Sequence, residues 1–115
     1  MKVKIEEYEV ETSVCDWWEV KISHKKINKK FIKNLIPKFK ELSFVFDAFK
    51  ADNGLIRLNM LGNENRRNPF LHKNTPSDIC IHPNKGYCIL MREGSIKYKQ
   101  MEDIVISVIL ENLKY

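Results

Sequence analysis

Apolar residues recur along this chain with two different periods. In residues 2–11, Val3 and Ile5 alternate with lysines, and the phase slips at Glu6–Glu7 before Tyr8 and Val10. That pattern predicts a strand carrying a bulge. Trp18, Val20 and Ile22 alternate with Glu19, Lys21 and Ser23, so residues 17–23 read as a second strand, entered through a turn at Thr12–Asp16. The period then changes. Over residues 28–42 (NKKFIKNLIPKFKEL), Phe31, Ile32, Leu35, Ile36, Phe39 and Leu42 fall within an arc of about 140° on a helix, with Asn28 placed to cap it. Pro37 lies on the polar side, where its missing N–H and its ring predict a kink or a division into two short helices.

Residues 44–61 read as a hairpin around Asp52-Asn53-Gly54. A three-residue loop with Gly54 left-handed places Phe44, Phe46, Ala48, Ile56, Leu58 and Met60 on one face and Asp47, Arg57 and Asn59 on the other. A two-residue Asn-Gly register would bury Asp47 instead, which is costly without a partner. Residues 62–78 (GNENRRNPFLHKNTPSD) have no periodicity and two prolines, and read as a long basic loop. Residues 79–82 and 87–91 read as strands joined through Pro83-Asn84-Lys85-Gly86. A second tight turn at Glu93-Gly94 leads to a predicted strand at Ser95–Lys99, with Met91 beside Ile96 and Ile89 beside Tyr98. Residues 101–113 read as a helix with Glu102 and Asp103 in its first turn, although the β-branched run IVISVIL also suits a strand. The order β-β-α-β-β-loop-β-β-β-α predicts a single α+β domain over residues 1–115, with a mainly antiparallel sheet and two helices.

Composition adds little to this picture, but the distribution of charge changes it. The net charge is +5, yet residues 1–19 carry −4, residues 20–50 carry +7 and residues 51–115 carry +2. A codon bias toward lysine raises the total without segregating it. The N-terminal residues have no apolar segment of the kind that directs export, and no apolar run reaches the ~18–20 residues of a membrane span. Three cysteines, Cys15, Cys80 and Cys88, are an odd number for a disulfide framework. A cytoplasmic protein with reduced thiols and no membrane attachment is the expectation.

Four groups of residues carry candidate chemistry. Lys25, Lys26, Lys29, Lys30, Lys33 and Lys40 form a basic ridge opposite the apolar arc, with Lys21 and His24 leading in. Such a ridge suits a phosphate backbone or an acidic protein surface. Arg66, Arg67 and Lys73, close to Phe70 and His72, extend the polyanion surface into the long loop. Trp17 and Trp18 present one ring outward in any strand, a candidate protein contact. Cys80, His82 and Cys88 would converge if a three-residue turn at Asn84-Lys85-Gly86 paired His82 with Cys88, and with His72 they make a candidate zinc set, but the spacing follows no standard zinc pattern. No cofactor and no resident metal are expected. The sequence holds no Gly-rich phosphate loop, nucleophile elbow or HExxH, which leaves catalysis without a motif.

These features favour a small binding protein for nucleic acid or a nucleic-acid-bearing complex. The alternatives are a stoichiometric protein antagonist, such as an inhibitor, immunity or phage-type factor, and a small hydrolase or nuclease using His72 and His82. The opposed charges of the first strand and the ridge, with a broadly apolar last helix, would also serve a homodimer.

Overall fold

A computed structural model describes residues 3–11, 16–52, 54–60, 79–93 and 96–114. Among them six strands form one antiparallel sheet: β1 (Lys4–Glu11), β2 (Asp16–Ser23), β3 (Val45–Lys50), β4 (Ile56–Met60), β5 (Ile79–Asn84) and β6 (Tyr87–Glu93). Their order across the sheet is β1-β2-β6-β5-β4-β3. With them the described residues hold three helices, α1 (Lys29–Lys33), α2 (Ile36–Lys40) and α3 (Ile96–Leu113), in an α+β fold. Helices α1 and α2 form the connection that carries the chain from β2 to the far edge at β3. No helix of the described residues is long and apolar enough to cross a membrane.

The helices cover one face of the sheet. Val20, Ile22, Ala48, Ile56, Leu58, Ile79, Ile81 and Leu90 from the strands pack with Ile32, Leu35 and Phe39 from α1–α2 and with Val105, Ile109 and Leu113 from α3. Full burial of each of these side chains larger than alanine is worth about 1.5–3 kcal/mol. The predicted helical arc is the one buried. The Asn28 side chain caps α1 by accepting from the Phe31 N–H at 2.8 Å. The helix divides at Asn34–Leu35, just before Pro37, which lies in the first turn of α2 where a missing N–H is harmless.

The β3–β4 hairpin has the three-residue loop. Ala51 donates its N–H to the Leu55 carbonyl at 2.8 Å, Gly54 donates to the Ala51 carbonyl at 2.9 Å, and Gly54 has φ +88°. The predicted face holds for Ala48, Ile56 and Leu58, but not for Phe46. A register shift between Val45 and Asp47 makes Phe46 an extra residue, so Val45 is buried and Phe46 is 43% exposed. The predicted bulge in β1 is absent: its pairing with β2 runs unbroken from Lys4↔Ser23 to Glu11↔Asp16. An outermost strand has no need to turn all its apolar residues to one face, and Ile5 is 48% exposed.

The predicted strand at Ser95–Lys99 is corrected by the structure. Residues 96–99 are the first turn of α3. Ile96 and Tyr98 fit a period of two over five residues, but both edges of β6 are occupied, by β2 and by β5, so no strand can pair there. Met91 accordingly faces Cys80 and Glu19, and Ile89 faces His82 and Lys21. The earlier helix start moves Glu102 from the first turn to the second. There it is fully buried, with Oε2 accepting from Arg92 Nε of β6 at 2.8 Å. Arg92 is 3% exposed and lies over the Trp18 ring, 5.4 Å from its centroid.

Removing one partner of a buried ion pair strands the other charge. Glu102→Ala is expected to lower stability by about 3–5 kcal/mol in urea unfolding. The double change Arg92→Met, Glu102→Leu is expected to recover most of that loss, because no charge is left buried.

Candidate nucleic-acid interface

The lysines from 25 to 33 sit on a loop and helix that the core holds in place. After β2 ends at Ser23, the chain turns through His24–Ile27, where Ile27 donates its N–H to the His24 carbonyl at 3.0 Å and buries its side chain completely. Lys25, Lys26, Lys29, Lys30 and Lys33 are all exposed, as is Lys40 on α2. Ile32, Leu35 and Phe39 anchor the opposite side.

The β5–β6 turn completes this surface. Asn84↔Tyr87 is the last pair of the hairpin, so the loop is the two residues Lys85-Gly86, with Gly86 at φ +88°. That turn docks on the 24–27 loop through two backbone hydrogen bonds: His24 N–H to the Gly86 carbonyl at 2.9 Å, and Gly86 N–H to the Ile27 carbonyl at 2.8 Å. Exposed Lys85 is thereby set beside the ridge. Neither residues 20–40 nor residues 79–92 contain an aspartate or glutamate. Lys85 was not among the residues singled out from sequence, because nothing local links residue 85 to residue 25.

Several side chains near the ridge have other partners. Lys21 is half-buried, its ammonium 4.7 Å from the centroid of the Tyr87 ring. Lys26 Nζ reaches the Leu113 carbonyl at 3.4 Å, at the C-terminal end of α3 where a cation is favourable. Lys38 Nζ donates to Asn112 Oδ1 at 2.6 Å. His24 does not add charge to the ridge. It is buried, and its Nδ1 accepts from the Lys26 N–H at 3.0 Å, which requires an unprotonated nitrogen there. Burial first, then the nearby Lys26 and Lys25 ammonium groups, holds its pKa below the ordinary imidazole value.

The two-residue turn also decides the proposed metal cluster. It pairs Cys88 with Pro83 and His82 with Ile89, one residue away from the pairing that convergence needs. Cys80 and His82 therefore share one face of the sheet and Cys88 lies on the other, within the core under the helices. His82 is exposed, while Cys80 and Cys88 are buried free thiols. Burial pushes the Cys88 thiol up to about 12. Among the described residues no three His, Cys, Asp or Glu side chains group as metal ligands. His72, Arg66, Arg67 and Lys73 lie outside the described residues, as does the side chain of Trp17. Trp18 is half-buried beneath Arg92, so its ring serves the packing of β6.

The His24 hydrogen bond predicts a pH dependence. Because its pKa is lowered by folding, the unfolded chain takes up the proton first as pH falls through the ordinary value of 6.5. The contribution of His24 is complete above that pH and is lost below it. The melting temperature of the wild type is expected to fall more than that of His24→Gln between about pH 7.5 and 5.5. Parallel curves for the two proteins would contradict this.

Protein-family models, curated proteins and solved structures give no match to this chain, so its function is read from the charge and geometry of this end of the molecule.

Proposed function

We propose that this protein binds a polyanion through its lysine array, and that the polyanion is nucleic acid or a nucleic-acid-bearing complex. The observation that carries this reading is the docking of the Lys85-Gly86 turn onto the His24–Ile27 loop. It gathers lysines from two distant segments, neither of which contributes an acidic side chain. Like charges brought together on a folded surface repel one another, and a bound polyanion relieves that repulsion while releasing its own counterions. Lysine supplies compact, hydrated point charges, which attract phosphates without the planar, bidentate geometry by which arginine adds specificity.

Electrophoretic mobility of a nucleic acid probe at low and moderate salt tests the reading. The triple variant Lys29→Glu, Lys30→Glu, Lys33→Glu is expected to weaken binding by at least about tenfold, and Lys85→Glu alone to weaken it measurably, since each removes phosphate contacts. Variants that bind as the wild type does would overturn it.

A further inference from the structure

We infer that the ligand of this array is double-stranded DNA, held by its phosphates without choice of base sequence. The inference rests on the nucleic-acid reading above and deepens it.

The array is a defined set. Lys25, Lys29, Lys30, Lys33 and Lys85 are exposed, and none of them has an ion-pair or hydrogen-bond partner for its ammonium group among the described residues. Lys21, Lys26 and Lys38 are engaged with Tyr87, Leu113 and Asn112 respectively. Lys40 lies beyond the break, on α2, which packs toward β3 and α3, whereas α1 packs on β5, the strand that leads into the Lys85 turn. Five exposed lysines therefore stand on adjoining backbone segments, held by the Gly86 hydrogen bonds and the packing of α1 on β5. Their backbone is fixed by the Asn28 cap, by buried Ile27 and Ile32 and by the two hydrogen bonds to Gly86. A fixed array is matched by a stiff lattice of charge, and a duplex carries one phosphate per ~1.7 Å of its axis.

The chemistry around the five separates the classes of nucleic acid. A single strand gains affinity by stacking its bases on exposed rings. Among the described residues, the rings of the array segments are occupied: Phe31 packs against the core, and the Tyr87 face holds the Lys21 ammonium. The planar, bidentate fork that most often reads bases is arginine's, and residues 20–40 and the Lys85-Gly86 turn carry no arginine. Recognition of RNA uses neutral polar groups on the 2′-hydroxyl. Of the amides on these segments, Asn28 has its Oδ1 committed to the Phe31 N–H and Asn84 has its Nδ2 on the His82 carbonyl, while Asn34 is exposed. A DNA duplex needs none of these groups.

Five phosphates neutralised give a slope of log K against log salt of about −4 to −5, which is a loss of roughly 500-fold between about 50 and 200 mM salt. Fluorescence anisotropy with labelled oligonucleotides of about 20 bases or base pairs measures it, using the intact wild-type chain. The expected results are that duplex DNA binds at least about tenfold tighter than either of its single strands, that two unrelated duplex sequences bind within about twofold, and that Lys85→Gln flattens the slope by about one while Lys38→Gln leaves it unchanged. Both changes are on the surface, and circular dichroism confirms that each variant is folded. Equal or tighter binding of a single strand, tighter binding of duplex RNA, or a slope shallower than about −2 overturns the inference while leaving the nucleic-acid reading standing. Failure to bind any of these probes removes both.

Discussion

The ion pair between Arg92 and Glu102 fixes how the two halves of the fold meet. Arg92 lies near the end of β6, and Glu102 lies in the second turn of α3. Their bond at 2.8 Å, away from solvent, sets both the rotation of α3 and its position along the sheet. Packing alone constrains such a helix weakly, because α3 is apolar over much of its circumference and Ile104 is 46% exposed. Lys99 of the same helix lies 3.6 Å from the other Glu102 oxygen whatever the rotation, but only one rotation brings Glu102 to Arg92 as well, and any other leaves the buried guanidinium without that partner. With Glu102 against Arg92, Val105, Ile109 and Leu113 fall on the sheet. The end of α3 then arrives beside α2 and the His24–Ile27 loop, where Lys38 and Lys26 meet Asn112 and Leu113.

What was legible in the sequence was whatever a local period encodes. The arc of Ile32, Leu35 and Phe39, the break ahead of Pro37, the three-residue loop ending at Gly54 and the antiparallel α+β class all follow from spacing within a dozen residues. The misread places share one cause, which is that a distant neighbour decided them. Ile96 and Tyr98 alternate like a strand, but β2 and β5 had already taken both edges of β6. Phe46 alternates with Ala48, but the bulge turned it outward. Glu102 reads as a solvated residue near a helix start until Arg92 is brought to it.

The candidate site divides in the same way. The exposed lysines of α1 were visible as the complement of an apolar arc. The exclusion of His24, the addition of Lys85 and the separation of Cys88 from Cys80 and His82 all turn on one short hairpin loop. A loop longer by one residue would reverse the face of every residue in one of its strands. Pro83 is tolerated beside it, within a central strand, because the pairing of β5 with β4 ends at Ile56↔Ile81 and the missing N–H has no ladder to interrupt.

The contact between Gly86 and the His24–Ile27 loop joins points separated by more than half the chain. Closing so long a span is slow compared with winding a short helix. During synthesis and folding, the lysines of α1 are present well before the hairpin that sets their neighbour in place. The assembled array is thus a property of the completed sheet, and a chain still acquiring its last strands carries the charge without the pattern.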